Sequence, residues 1–289
     1  MLNVFSVDVE EYFHPSEVQR TIHQRRWSSL PSRVERSTQQ VLDLLAAHQV
    51  KATFFLLGWV ARKNPKLIRT IAGRGHEIGC HSFAHQLVYD FKPGEFRSDT
   101  IEAIRAIEDA CGISPKAYRA PSLSITAQSW WALEVLVECG FTHDSSVCPV
   151  IHDRYGIPGF ARFAQFINTP SGTILEVPTA TVRLSPSRVA PVGGGGYLRL
   201  LPYRYTAAGI RRINEIDQKP ACIYIHPWEL DLDQPRIASG FVSRLRTYAG
   251  LRAMESKVRR LLTDFRFSTL SAVHPFPMKK ALSQKAVAS

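Results

Sequence analysis

Apolar positions fall into two alternating periods along the chain. Residues 2–9 form a near-continuous apolar run rich in Val and Phe, the pattern of a strand buried on both faces. Runs at 52–57 (Ala-Thr-Phe-Phe-Leu-Leu), 77–80 (Glu-Ile-Gly-Cys), 221–225 (Ala-Cys-Ile-Tyr-Ile) and 265–270 predict further strands, with shorter extended pieces at 116–119 and 141–144. Between them the period changes to that of a helix. Val41, Leu42, Leu44 and Leu45 predict one over 34–48, and Ile101, Ile104 and Ile107 an amphipathic one over 95–110 that ends at Gly112. A short helix over 67–72 follows Pro65 and stops at Gly73 and Gly75, and another over 127–139 stops at Gly140. Val242, Leu245, Leu251, Val258, Leu261 and Leu262 predict one long helical face over 239–263. Residues 14–33 read as a long loop, and 146–205 as irregular and proline-rich.

Strands alternating with helices predict repeated βα units and a parallel sheet or barrel. No internal repeat or linker is visible, so one domain with a C-terminal extension is expected, ending in a disordered tail. Sites on such scaffolds lie where strands end. Asp8, His81, Arg119, Asp144 and His226 all fall at expected C-terminal strand ends. Alternation puts Asp8 and Glu10 on one side of an extended chain. In His81-Ser82-Phe83-Ala84-His85 the two histidines are four apart, so a helical turn there would aim both imidazoles at one spot. Neutral imidazoles at that spacing suit a divalent metal. Taken alone, the pair is more economically a surface or core pair.

Composition narrows the class. The 45% hydrophobic and 21% charged content is that of an ordinary soluble domain, and no apolar run reaches the roughly 18 residues of a membrane span. The first residues carry no basic segment and meet Asp8, Glu10 and Glu11, which is unlike a secretory signal, so a cytoplasmic location is expected. Five scattered cysteines without CxxC spacing are expected to be reduced thiols. The net charge of +11 is dispersed and accompanied by no nucleic-acid-binding motif, which excludes that partner class. General solubility accounts for the excess, with attraction to an anionic membrane surface or glycan as the alternative. The run Gly193-Gly194-Gly195-Gly196 lacks the Lys-Ser or Lys-Thr of a phosphate loop. It is either a flexible turn or a lid that brings Tyr197 and Arg199 to a substrate.

Taken in order, Asp8-Val9-Glu10, His81-Ser82-Phe83-Ala84-His85, Arg119-Ala120-Pro121-Ser122 and Ile225-His226-Pro227 resemble the ordered motifs of the NodB-type polysaccharide deacetylases, carbohydrate esterase family 4. The resemblance spans about residues 3–230. Ser6-Val7-Asp8-Val9-Glu10, Gly194-Gly195-Gly196-Tyr197 with Arg199-Leu200-Leu201-Pro202, and His226-Pro227-Trp228-Glu229 are most similar to the exosortase (PEP-CTERM)-associated deacetylases of exopolysaccharide clusters. The resemblance implies an α/β fold, a distorted (β/α) barrel over 1–230. It also implies a C-terminal extension over 231–272, which leaves 273–289 as the tail.

The resemblance further implies a mononuclear metal, most often Zn2+, and removal of N-acetyl groups from N-acetylhexosamine residues of a polysaccharide or lipid-linked oligosaccharide. His81 and His85 would be ligands. Asp8 would be the base, His226 the acid, and Arg119 the partner of the base. Val9 stands where a second Asp is usual, which passes the third ligand to Glu10, with Glu11 as fallback. The usual glycine after Pro121 and the Asp-Trp pair of the fourth motif are missing. A carboxylate behind His226 would raise its pKa and orient it; Asp144 is the candidate and Glu176 the alternative. Tyr197 and Trp228 are candidate substrate contacts, with Trp228 equally readable as a packed core aromatic, whereas Tyr12 reads as structural. The competing functions are hydrolysis of a non-sugar amide or imide on the same fold, and an inactive glycan-binding relic. Oligomeric state stays open.

Overall fold

The structure, a computed structural model, describes residues 1–185 and 188–277. Its strands are β1 (Leu2–Val9), β2 (Thr53–Leu56), β3 (Glu77–Cys80), β4 (Ala117–Tyr118), β5 (His143–Asp144), β6 (Gln165–Thr169), β7 (Gly172–Glu176), β8 (Thr181–Ser185), β9 (Arg188–Pro191), β10 (Cys222–Ile225) and β11 (Arg266–Ser268). The main sheet runs β10-β1-β2-β3-β4-β5-β7-β6, parallel throughout except for β6, which is antiparallel to β7 at the edge. Val4 pairs with Cys222 on one side and Ser268 on the other, so β11 continues the β2 edge of β1 below β2 itself. β8 and β9 form a separate hairpin.

The expected α/β class holds, and the barrel is an open one. Among the described residues no ladder joins β10 to β6 or β7. The chain after β7 leans across that gap, where Ala180 N–H donates to the Cys222 carbonyl at 2.9 Å. Alternation along β1 divides the interior. Phe5, Val7 and Val9 point outward into the large core shared with helices such as Val34–Ala47, Pro65–Gly73 and Leu251–Asp264. Val4 belongs to a smaller inner cluster with Phe55, Ala117, Leu175 and Cys222. Ser6 and Asp8, on the same inward side, meet Arg119 inside the barrel. The segment 231–272 contributes Met254, Val258, Leu261, Leu262 and Phe267 to the large core. Of the expected tail, Phe276 packs beside His143 and Phe166, and residues 278–289 lie outside the described residues.

Three expectations need correction. The stretch 14–33 contains the helix Ser16–Gln19 and the 3-10 turn Gln24–Ser29, anchored by buried Val18 and Trp27. These pieces are too short to show a helical period. The stretch 146–205 holds four strands. Its β6 leaves Phe166 half exposed, so the apolar pattern there is broken. The long face over 239–263 is two helices, Phe241–Tyr248 and Leu251–Asp264. They part at Gly250, where φ is +80° and a Cβ would lie 2.3 Å from the Arg199 carbonyl oxygen.

Asp144 and Glu176 sit opposite each other where β5 meets β7, both fully buried. Asp144 accepts from Ser146 Oγ (2.6 Å) and Ser146 N (3.2 Å), and Glu176 accepts from Val147 N (3.0 Å). Burial raises the pKa of both, and the charge of Asp144 raises Glu176 further, well above the usual carboxylate range. The folded chain therefore holds a proton that the unfolded chain has released above about pH 4.5. Stability falls as pH rises from there through the folded pKa. Glu176→Gln should remove that slope: in urea melts its unfolding free energy should gain on wild type steadily from pH 5 upward. An unchanged pH slope would show that the pair holds no shared proton.

Candidate metal centre

The chain bends sharply after β1. His14 N–H donates to the Glu11 carbonyl (3.0 Å), and Glu11 N–H donates to His14 Nδ1 (3.1 Å). This turn sends the two neighbouring acids apart. Glu10 points over the C-terminal rim of the sheet. Glu11 points away and accepts from the Arg33 amide (2.9 and 3.1 Å) and from the Ser32 hydroxyl. Glu10 is thus the acid placed with the histidines, and Glu11 is committed elsewhere.

The His81–His85 segment is not a helical turn. Ser82 and His85 have φ of +66° and +55°, in the left-handed region. The loop is pinned by Gly58 and Trp59 amides donating to the Ser82 and Phe83 carbonyls (both 2.9 Å), and by Phe83 N–H donating to Asp99 Oδ2 (3.0 Å). It nevertheless brings both imidazoles to one carboxylate oxygen. Glu10 Oε1 lies 3.2 Å from His81 Nε2 and 3.0 Å from His85 Nε2, all three residues being buried. His81 Nδ1 is 2.7 Å from the Arg119 carbonyl, to which it must donate. That fixes the tautomer, so the neutral ring turns a bare Nε2 lone pair toward the carboxylate. Two acceptors facing each other in a buried site ask for a cation between them. The donor set of one carboxylate and two imidazoles fits a divalent metal and leaves coordination positions free. Burial alone would raise Glu10, but His85, His226 and His81 in their protonated forms, standing in for a bound cation, hold its carboxyl well below the usual range. Trp228 Nε1–H reaches Glu10 Oε2 at 3.4 Å.

Below the rim lies Arg119, fully buried. Its guanidinium donates to Asp8 Oδ1 (2.8 Å), Ser6 Oγ (2.7 Å), the Ser145 carbonyl (3.1 Å) and Ser145 Oγ (2.9 Å), with Cys222 Sγ at 3.6 Å. Phe55 and Tyr224 rings flank it, with the guanidinium carbon 4.3 and 5.2 Å from their centroids. Asp8 and Arg119 therefore meet as the sequence leads one to expect. Removing either member of so buried a pair costs about 3–5 kcal/mol.

His226 follows β10, with Nε2 3.9 Å from Asp8 Oδ2 and 3.8 Å from Glu10 Oε1. The carboxylate on its other side is Glu229, with Oε2 3.4 Å from His226 Nδ1. Asp144 and Glu176, expected there from the sequence, are tied to Ser146 and Val147 instead and sit opposite each other in the sheet. Strand geometry explains the difference: both lie on β5 and β7, across the open edge, whereas Glu229 is three residues along the same turn, within reach of the ring. Burial would push the His226 imidazole down, but Glu10, Glu229 and Asp8 outweigh it and raise it to about 9. Glu229 is held below its ordinary value, since His226 and Arg199 more than offset its burial.

Arg199 is 2% exposed, and its guanidinium is committed within the fold. It donates to Glu229 Oε1 (3.2 Å) and to the carbonyls of Arg246 (2.6 Å), Thr247 (2.6 Å) and Ala249 (3.1 Å), bracing the carboxylate that faces His226. Trp228 stacks on His226 at 5.2 Å and 21° rather than offering a free face, and Tyr12 is buried beside Phe13. Tyr197 lines the cleft near Tyr155 (Oη to Oη 3.4 Å). The glycine run is packed. Gly194 has φ +123°, and a Cβ there would lie 2.1 Å from the Tyr224 ring, so this position admits only glycine. Ser122, where a glycine is usual, keeps a left-handed φ of +51°. The cleft over these groups holds about 380 Å³ and includes Asp8, Glu10, His81, His85 and His226 in its lining. Sequence reasoning missed Glu229 as the partner of His226; its spacing of three after His226 on a Pro-initiated turn is the signal that was available.

These features define a class: open (β/α) barrels carrying a candidate metal centre at the C-terminal rim. Comparison places it further. Residues 29–142 match the family model described as polysaccharide deacetylase, and 145–274 match a domain of unknown function, DUF3473. A peptidoglycan-N-acetylglucosamine deacetylase of Bacillus cereus is 39% identical over 98 residues, 34% of this chain and 36% of that protein. A chitooligosaccharide deacetylase of a Bradyrhizobium is 39% identical over 85 residues, 29% of this chain and 39% of that protein. The chain thus spans little more than a third of the length of these curated relatives. In three dimensions it is similar to a Mycobacterium smegmatis protein described as a polysaccharide deacetylase (TM-score 0.60, 19% identity, 93% of each chain covered). Residues 29–142 thus carry the match to a polysaccharide deacetylase domain, the NodB, carbohydrate esterase family 4 type. His81, His85 and Arg119 lie inside the matched segment; Asp8 and Glu10 precede it, and His226 and Glu229 fall in the DUF3473 match.

Zinc binding by the purified chain, read by calorimetry or by metal content after dialysis, should separate these acids. Glu10→Gln should abolish tight binding and Glu11→Gln should leave it intact. Trp228→Phe, which removes the Nε1–H behind the ligand together with part of the ring stacked on His226, should weaken binding by roughly 10-fold to 100-fold. Equal loss in the Glu10 and Glu11 variants would refute the assignment of the carboxylate.

Proposed function

We propose that this chain is a metal-dependent N-deacetylase of N-acetylhexosamine residues in a polysaccharide or lipid-linked oligosaccharide precursor, acting in exopolysaccharide assembly in the cytoplasm. The observation that carries this reading is the convergence of Asp8, Glu10, His81, His85 and His226 on one cleft: a base, three ligand donors and an acid within a few ångströms. A mere glycan binder has no need to keep all five. The relatives named above, a peptidoglycan-N-acetylglucosamine and a chitooligosaccharide deacetylase, favour an amino-sugar over another amide. The motifs shared with the exosortase-associated subgroup support the exopolysaccharide role. Five free cysteines suit a reducing compartment.

Glu10, His81 and His85 would hold the ion, most readily zinc, which when bound supplies Lewis acidity to the acetyl carbonyl and to the attacking water. Asp8 commits Oδ1 to Arg119 and keeps Oδ2 toward the cleft. That oxygen takes a proton from the water as the water oxygen adds to the acetyl carbon. Arg119 fixes the orientation of the base without touching substrate. His226, kept protonated by the carboxylates around it, gives its Nε2 proton to the amine nitrogen as the C–N bond breaks. Acetate and a free amino-sugar result. Glu229, braced by Arg199, accepts from the His226 backbone N–H (3.0 Å) and sets its charge beside the imidazole's Nδ1.

Acetate release from N-acetylglucosamine oligomers, with zinc supplied, tests this reading. Asp8→Asn and His226→Gln should each lower kcat by about 10²–10⁴-fold, and His81→Ala should abolish activity. Activity surviving in Asp8→Asn, or persisting after chelation, would overturn the mechanism. A wild type inert on every N-acetylated glycan would transfer the site to another C–N substrate.

A further inference from the structure

One helix that contributes to the cleft lining also carries an exposed apolar face and two arginines. On the helix Phe241–Tyr248, Phe241, Val242 and Leu245 are 81%, 58% and 49% exposed. Positions i, i+1 and i+4 lie on one face of a helix. The opposite face is fixed, with Thr247 buried and Ser243 Oγ donating to Glu17 (3.1 Å), and the helix is anchored at its C-terminal end by buried Tyr248, whose Oη accepts from Ala238 N (2.9 Å). The apolar face therefore stays outward. The same helix supplies Arg246 and Thr247 to the cleft lining. Leu200, 48% exposed, lines the cleft, and Ile151, 86% exposed, adjoins the lining residue His152. Of the twelve large apolar side chains exposed among the described residues, Leu200 thus lines the cleft, three lie on a helix that contributes to its lining, and Ile151 is next in sequence to a lining residue. Clustered exposure of this kind marks a surface that meets an apolar phase.

Its charge points to the nature of that phase. Residues 234–254 carry Arg236, Arg244, Arg246 and Arg252, all exposed, and no acid. Arg20 adds another, 66% exposed. The acids nearby are already engaged or outnumbered. Glu17 is nearly buried under Arg154 (2.7 Å) and Arg246 (3.1 Å), Asp233 pairs with Arg36 (3.4 Å), and Asp153 faces His152 (2.9 Å). Apolar side chains projecting from a collar of arginines are the composition of a helix lying in the interface of an anionic bilayer.

We propose that the Phe241–Tyr248 helix docks the chain on an anionic phospholipid surface, with Phe241, Val242 and Leu245 entering the acyl boundary and Arg20, Arg236, Arg244 and Arg246 meeting headgroup phosphates. The cleft then opens at the membrane, where a lipid-linked oligosaccharide would present its sugars. This rests on the deacetylase reading for the identity of the substrate alone; the docking itself does not depend on it.

Vesicle flotation of the full chain separates the two. Wild type should float with mixed phosphatidylcholine–phosphatidylglycerol vesicles, not with phosphatidylcholine alone, and should be released by high salt. The variant F241S/V242S/L245S should bind the mixed vesicles at least about tenfold more weakly, while releasing acetate from soluble oligomers at the wild-type rate. The fluorescence of Phe241→Trp should shift to the blue when mixed vesicles are added. Wild type that stays with the soluble fraction, or a triple variant that floats as well as wild type, would overturn the proposal. So would self-association of wild type that the triple variant abolishes, which would give the face to a second copy of the chain. Loss of acetate release with flotation intact would count against the deacetylase reading only.

Discussion

A guanidinium sealed inside the barrel is the constraint on which the rest depends. Arg119 has no access to water, so each of its five N–H groups must find an acceptor within the fold. They come from separate strands: Ser6 and Asp8 from β1, Ser145 just beyond β5, and the Cys222 sulfur from β10. No local stretch of chain could provide them. Only when the sheet curls until β10 and β5 face each other across β1 to β4 is the charge paid for. The same residue serves the rim above it, because its carbonyl fixes the tautomer of His81 while its side chain holds Asp8. A structural requirement and a chemical one are met by a single side chain.

The cleft is a joint product of the two segments that the family models separate. The first segment, with the strand that precedes it, supplies the carboxylate, both imidazoles, the base and the guanidinium. The second supplies His226, the Glu229 that faces it, and the Arg199 brace that ties both to the turn between the two C-terminal helices. Trp228 joins the halves directly, stacked on His226 and bonded to Glu10 218 positions away in sequence. The parallel pairing of β10 with β1 makes this possible, since it sets the residues after both strands side by side at one end.

Much of the scaffold was legible because strands buried on both faces leave unbroken apolar runs, and β1, β2, β3 and β10 were readable for that reason. Asp8, His81, Arg119 and His226 were readable as a set because each is a polar residue just where such a run ends. The hairpins of 165–191 were not, since edge strands expose half their side chains and lose the contrast on which pattern reading relies. The partner of His226 was misjudged for a related reason: Asp144 and Glu176 also end strands, but their strands lie across the open edge, a fact of sheet order and not of pattern.

By itself the sequence determined which residue types stand at strand ends and in which order, because burial and alternation are written residue by residue. It could not determine which of two adjacent acids faces the histidines. Asp8 and Glu10 share a side only while the chain stays extended, and the turn closed by His14 sets Glu10 over the rim and turns Glu11 away. Nor could it show that His81 and His85 converge through a left-handed loop instead of a helical turn. Those choices depend on contacts between segments far apart in the chain, with Gly58, Trp59 and Asp99 holding the loop. Tertiary structure alone decided them, since hydrogen bonds and close approach act on distance in space and leave no local trace in the order of residues.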